Sequence, residues 1–408
     1  MKKILAVFFG GRSVEHDISI VTGLQLMENM NTDRYDCLPV YIAQDGKWYT
    51  GEALKNLDFM RTFRPDDKGV QSVFLPPIPG EAALTGHSKG LLGTKVETFP
   101  FDVAILCMHG LNGEDGSLQG VLELANIPYS SSGLLGSAAG MDKILMKAAF
   151  AGAGIPVVDS HGFLRDEWET NPDDVVTAIE DKMEYPLIIK PANLGSSIGI
   201  GRAEDRDGLY GCVEVALRYD SRIIVEHAIV DMMEINCSVL GYGNELTPSV
   251  CEQPVSWQEF LSFEEKYLQQ NADGKLSATT PSGDMQSMSR IVPAPIPDEV
   301  RDHIQELSCR IFRLMDCKGV VRIDFMIDKA HDFQVYANEI NTIPGSMAYY
   351  LWQENGMSYA RLIDKLVELA LDAHREKNRN TYAFDSDVLK KVNYSGNKFA
   401  KGGRRNKI

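Results

Sequence analysis

The sequence has no run approaching the ~18 uninterrupted apolar residues that a membrane-spanning helix requires, so no membrane association is expected. CxxC spacing is also missing. The seven cysteines (Cys37, Cys107, Cys212, Cys237, Cys251, Cys309 and Cys317) are scattered, odd in number and mostly set in apolar runs, and read as reduced core thiols of a cytoplasmic protein. Positive charge is in deficit, with a net charge of -16 that repels nucleic-acid phosphates overall but leaves room for a local basic pocket taking an anionic small molecule. Nucleic acid is therefore not an expected partner. No phosphate-binding loop ending in Lys-Ser or Lys-Thr is present, and Gly10-Gly11-Arg12-Ser13 does not match a dinucleotide fingerprint, which disfavours a nicotinamide enzyme. There is no internal repeat.

The 408 residues, 44% of them apolar and 24% charged, suit a multi-domain globular enzyme with two or three cores. The opening MKKILAVFFGG has too short an apolar run for a signal peptide and reads as a first strand. Strand-like runs at Ile4–Phe9, Cys37–Ile42 and Val103–Met108 alternate with helical stretches such as Ser19–Met30 and Leu118–Leu124. That order predicts an α/β domain with a parallel sheet over 1–135. A helix over Met141–Ala151, a buried strand Leu187–Lys190, a glycine-rich turn Asn193–Gly201 and a helix near Asp205–Tyr219 fill a second unit, 136–220. A third unit, 221–375, holds strands Arg222–Glu226 and Ile235–Leu240, a polar stretch over 262–290 expected to be a mobile loop, a helix Pro297–Met315, and strands Gly319–Ile327 and Phe333–Ile340 expected to form a hairpin. The amphipathic helix Tyr359–Ala373 precedes a basic tail, 376–408, expected to be disordered.

Three constellations carry chemistry. On the expected hairpin, Arg322 and Asp324 are two apart on one strand, and Glu339 and Asn341 two apart on the other, so each pair faces one side. Asp, Glu and Asn oxygens are hard ligands suited to Mg²⁺, and Gly345 in the adjoining turn can bring a backbone N–H to a developing oxyanion. A solvated sheet face is the bland alternative, which four converging polar groups make harder to hold. Behind Lys190, the small residues of Gly195-Ser196-Ser197 let backbone amides approach phosphate oxygens. The run from His109 to Gly120 directly follows a strand, where open α/β sheets place their ligands.

These motifs occur in the order seen in D-alanine:D-alanine ligases, which the chain resembles over roughly residues 3–375. The resemblance implies a three-domain ATP-grasp fold and the joining of two D-alanines through an acylphosphate, with ATP and Mg²⁺ (or Mn²⁺) as cofactors and a homodimer as the assembly. It implies nucleotide contacts from Lys143, Lys190, Glu226, His227, Ile229, Glu234 and Met326, and metal ligation by Asp324, Glu339 and Asn341. Arg322 and the Gly345 amide take the tetrahedral intermediate, Glu15, Ser196 and Tyr267 form a hydrogen-bonded triad, and His109, Glu114, Tyr350 and Leu351 serve the substrates. Two departures leave the acceptor open to D-serine or another amino acid. Tyr350 stands where the family commonly has serine, and the loop after Tyr267 is longer than usual. A non-catalytic ATP-binding protein is the reading from another class, against which the intact Arg322, Asp324, Glu339 and Asn341 speak.

Overall fold

The computed structural model describes residues 2–90, 93–254, 290–383 and 386. Tyr267, the expected loop apart from Arg290, and the tail's basic residues from Lys398 onward lie outside the described residues.

The described strands form three sheets. The first contains β1 (Lys3–Gly10), β2 (Tyr35–Ile42), β3 (Trp48–Thr50), β4 (Gln71–Phe74), β5 (Ala83–Gly90), β6 (Gly93–Pro100) and β7 (Val103–Leu106), in the order β6-β5-β4-β3-β2-β1-β7. Leu5 to Phe9 of β1 have no exposed surface, as expected of a parallel strand covered on both faces. β1 pairs parallel with β2 and β7, but from β2 outward every pairing is antiparallel. The parallel sheet read from the sequence is thus one end of a mixed one, with β7 at its edge. The first antiparallel step has a local reason: at the Asp45-Gly46 turn between β2 and β3 the Lys47 N–H donates to Asp45 Oδ1 at 3.0 Å, and so short a connection can join only antiparallel strands.

The second sheet is antiparallel, with β8 (Ser160–Leu164), β9 (Leu187–Pro191), β10 (Gly201–Ala203) and β11 (Arg222–His227) in the order β10-β9-β11-β8. Since β11 belongs here, this sheet runs past the boundary expected at residue 220. The third contains β12 (Met232–Tyr242), β13 (Glu245–Pro254), β14 (Arg290–Ile291), β15 (Lys318–Asp328) and β16 (Gln334–Asn341) in the order β14-β13-β12-β15-β16. β15 and β16 form the expected antiparallel hairpin. The helix Asp298–Leu314 buries Ile304, Leu307 and Ile311, three and four residues apart, together with Phe312 in the core of this sheet.

The carboxyl-terminal helix Tyr359–Lys377 returns to the first domain. Its Leu362, Ile363 and Leu366 join one apolar core with β1, β7, Leu240 and Val320. Where β15 meets the first domain, Gly319 has φ +78°, and a Cβ there would lie 2.1 Å from the Ser130 carbonyl oxygen. Gly319→Ala is therefore expected to destabilise the protein by about 2 kcal/mol or more. Chemical denaturation reads this directly; wild-type stability in the variant would show that the contact gives way freely.

Candidate active site

The register of the third sheet lines up the chemistry. Arg322 lies opposite Asn341, and Asp324 lies opposite Glu339. The pairing shifts between Asp324 and Phe325, leaving Asn338 as the extra residue of a bulge that meets Lys190, whose Nζ lies 3.4 Å from Asn338 Oδ1. Arg322 grips Asp324 with two parallel bonds, Nε to Oδ1 and Nη2 to Oδ2, each 2.7 Å. Asn341 Nδ2 donates to Asp324 Oδ2 at 2.9 Å. Glu339 is met by Lys143 at 3.4 Å. Directly opposed carboxylates repel; here each has a cation, and the pair offers the hard oxygens a divalent metal takes.

A second set of charges is buried beside the first. Lys143 and Lys147 are four apart on the helix Lys143–Gly152 and so share a face. Asp142 caps this helix by accepting from the Leu145 N–H at 2.9 Å, and Arg222 Nε on β11 donates to the same carboxylate at 2.6 Å. Glu226 on β11 sits between Lys190, at 2.7 Å, and Lys147, at 3.1 Å. Burial alone would raise Glu226, but the two ammonium groups outweigh it and hold the carboxyl at about 2. Burial pushes Lys147 below the usual lysine range; Lys190 opposes the same burial with Glu226, Glu339 and Glu234 nearby and is raised.

The first domain reaches the site through one turn. His109 Nδ1 lies 2.8 Å from the Ile343 carbonyl oxygen, which can only accept, so Nδ1 carries the proton. Burial, with the positive field of Arg322, holds the ring down at about 4 even against that bond, so it is neutral and Nε2 accepts from the Thr22 hydroxyl at 2.8 Å. The Ser346 N–H donates to Thr22 in turn at 3.3 Å, and the Ser346 hydroxyl to Gln25 at 2.6 Å. Glu114 accepts from the N–H groups of Ile343, at 2.8 Å, and Gly110, at 2.9 Å. These bonds hold a strained backbone, since Ser346, Met347 and Ala348 all have φ near +50°. Gly345 opens that turn. Nearby, the Ser196 hydroxyl donates to Glu15. Gly110 has φ +70°, which strains any residue with a Cβ, and a Cβ there would also press on the Glu15 carboxylate at 2.4 Å.

Among the expected residues, Glu15, Ser196, His109, Glu114 and the Gly345 turn thus form one group, and Lys143, Lys190, Glu226, Glu339, Asp324, Asn341 and Arg322 another. Glu234 is near Lys190 and pairs opposite the buried Met326. His227 is exposed and Ile229 half-buried, both at the passage from β11 to β12. Leu351 is completely buried, whereas Tyr350 is half-buried and donates its hydroxyl to Glu252 at 2.5 Å. The residues not singled out beforehand are Lys147, Asn338, Thr22, Gln25 and Glu252. Only Lys147 had a visible signal, its i+4 spacing from Lys143.

An antiparallel sheet and a second one facing it with paired lysines and carboxylates, attached to a domain whose sheet is parallel at one end, define an ATP-grasp protein. Residues 4–132 match the family described as D-ala D-ala ligase N-terminus, and residues 149–368 the one described as D-ala D-ala ligase C-terminus. The chain is 36% identical over 385 residues to the D-alanine–D-alanine ligase of Thermosipho africanus, covering 94% of this chain and 98% of that relative. It is 37% identical over 394 residues to the enzyme of the same name from Bacillus cytotoxicus, covering 94% and 99%. This chain belongs to the D-alanine–D-alanine ligase family. Among solved structures, the VanG D-Ala:D-Ser ligase from Enterococcus faecalis superposes with a TM-score of 0.75 at 30% identity, over 91% of this chain and 100% of that one. The D-alanine–D-alanine ligase from Coxiella burnetii gives 0.73 at 27%, over 93% and 96%.

Burial, reinforced by the Glu15 carboxylate, pushes Glu114 from its ordinary 4.5 up to about 8. The folded protein then binds this proton more tightly than the unfolded chain, so the associated stability is complete below about 4.5 and is lost as pH rises towards 8. Between those values wild type is expected to lose stability more steeply than Glu114→Gln, by at most ~1.4 kcal/mol per pH unit. Parallel stability curves in a pH series of denaturant titrations would contradict that assignment.

Proposed function

We propose that the protein joins two D-alanines into D-alanyl-D-alanine, forming ADP and phosphate, as a step in supplying cell-wall precursor. The observation that carries this reading is the register that sets Arg322 opposite Asn341 and Asp324 opposite Glu339, beside a turn held by His109 and Glu114.

Asp324, Glu339 and Asn341 fit a Mg²⁺ ion by the chemistry of their oxygens, Mn²⁺ being the near equivalent. When bound, such an ion neutralises phosphate charge. Lys143, Lys147 and Lys190 supply the cationic floor for the triphosphate, with Glu226 keeping the last two in place. The nucleotide's base and ribose belong near His227, Ile229, Glu234 and Met326, between the second and third sheets. Near Glu15, Ser196, His109 and Glu114 the first D-alanine lies with its carboxylate towards Arg322. One carboxylate oxygen attacks the terminal phosphorus of ATP and ADP leaves. The neutral amine of the second D-alanine then attacks the acylphosphate carbon, the C–O bond to phosphate breaks, and the amine's surplus proton departs with the phosphate as hydrogen phosphate. Arg322 and the Gly345 amide hold the oxyanion formed between these events. Chemistry here is mostly positioning, because the protein itself forms no bond with either substrate.

Unpaired thiols throughout support a reducing, cytoplasmic setting, no helix among the described residues is long and apolar enough to cross a membrane, and a homodimer is the proposed assembly. The test is ADP release with Mg²⁺, ATP and D- and L-amino acids offered singly and in pairs, with products weighed by mass spectrometry. D-Alanine alone should suffice and yield its dipeptide; turnover only with a pair such as D-alanine and D-serine would move the acceptor assignment to the VanG-like chemistry. Arg322→Ala is expected to cut turnover by on the order of a hundredfold or more while ATP affinity, read by calorimetry, stays within about threefold. Normal turnover in this variant would remove Arg322 from its role.

A further inference from the structure

The polar row on the third sheet does not stop at the metal-site carboxylates. By register, Glu339 on β16 faces Asp324 on β15, Asp324 faces Asn236 on β12, and Asn236 faces Glu252 on β13. Glu252 is 3% exposed, and a buried carboxylate needs partners. It has three. Asn236 Nδ2 donates at 3.2 Å, the Tyr350 hydroxyl at 2.5 Å, and Arg290 Nη1 at 3.4 Å. Arg290 enters on β14, where it pairs opposite Pro254, and its guanidinium lies over the Tyr350 ring, 3.9 Å from the centroid.

This arrangement changes what Tyr350 can do. A phenol has one proton, and here it is given to Glu252, so the oxygen has only lone pairs left for anything else. A substrate carboxylate also only accepts, and two acceptors repel. The group beside the phenol that does offer donors is Arg290, whose guanidinium carries five and can hold Glu252 and a second anion together. Its side chain is 14% exposed, so the charge acts in a partly dried environment where ionic bonds strengthen.

We infer that Arg290, set over the Tyr350 ring and held by Glu252, binds the carboxylate of the acceptor amino acid in this protein, with Tyr350 as its platform. The inference rests on the ligase reading and names the recognition element of its second substrate: a planar cation that selects an acceptor with a free carboxylate. Tyr350 and Glu252 are positioning residues for Arg290.

The test uses the full-length protein with Mg²⁺, ATP and D-alanine as donor, comparing D-alanine with uncharged D-alaninamide as acceptor. Wild type should prefer D-alanine. Arg290→Gln should shrink that preference by on the order of tenfold to a hundredfold, the worth of a charge-assisted bond, through the acceptor KM, while the KM for ATP and for donor D-alanine shifts by less than about twofold. Arg290→Lys should recover part of the preference, and Tyr350→Phe, which keeps the ring beneath the guanidinium, should lose less of it than Arg290→Gln does. A preference unchanged in Arg290→Gln, or a larger loss in Tyr350→Phe, overturns the inference. Should Arg290→Gln fail to fold, Arg290→Lys decides alone: a preference several-fold below wild type supports the inference and an unchanged one defeats it. Absence of dipeptide from wild type would defeat the ligase reading instead, before any variant is compared.

Discussion

The antiparallel register between β15 and β16 is the constraint on which the rest of the site depends. Side chains alternate faces along a strand, so a slip of one residue would carry Glu339 and Asn341 to the other side of the sheet and leave Arg322 and Asp324 without opposite numbers. What prevents the slip is burial. Ile323, Phe325 and Ile327 of β15 and Val335, Ala337 and Ile340 of β16 lie in one core with the helix Asp298–Leu314, and a shifted register would expose them. The bulge at Asn338 then makes the one local adjustment that the second sheet requires, bringing an amide to Lys190.

Around this register the protein holds several arrangements that are costly by themselves. Two carboxylates face one another, three lysines and Glu226 share a largely buried pocket, and three consecutive residues after Gly345 sit in the left-handed region. Removing one partner from a buried charge group leaves the others uncompensated, which costs several kcal/mol. Such groups persist only where the surroundings over-determine them. Here the surroundings are the apolar core that runs from β1 and β7 through Val320 to the carboxyl-terminal helix, and the clasp of His109, Thr22 and Glu114 on the Ile343–Ser346 turn. The benefit is a site whose dipoles and charges are aimed before substrate arrives, the condition under which electrostatic catalysis is strongest.

Much of the fold was legible because periodicity survives in the sequence. The runs at Ile4–Phe9, Leu187–Lys190 and Gly319–Ile327 are strands, and the helices near Ser19, Met141, Pro297 and Tyr359 begin within a few residues of their expected starts. The antiparallel strands β3 to β6 were not anticipated, because they lack the continuous apolar runs that mark β1, β2 and β7. Of the site, the residues with chemically loud neighbours (Arg322 with Asp324, Glu339 with Asn341, His109 within its glycines) stood out. Glu252 did not, since one of two acids in a strand of mixed composition reads as solvated until its burial is known. Lys147 was obscured in a different way: lysine on a helix is ordinarily solvated, and only the arrival of β11 encloses it against Glu226.

By itself the sequence determined the kinds of element, the order of the motifs and, through that order, the family to which the chain belongs. Tertiary structure alone decided which cation meets which carboxylate, that Leu351 is sealed in the interior, and that the proton of Tyr350 goes to Glu252, 98 residues away in the chain. The physical reason lies in range. Periodicity and turn chemistry act over a few residues and leave a trace in local composition, whereas the partner of a buried polar group is set by sheet register and by how domains close on one another.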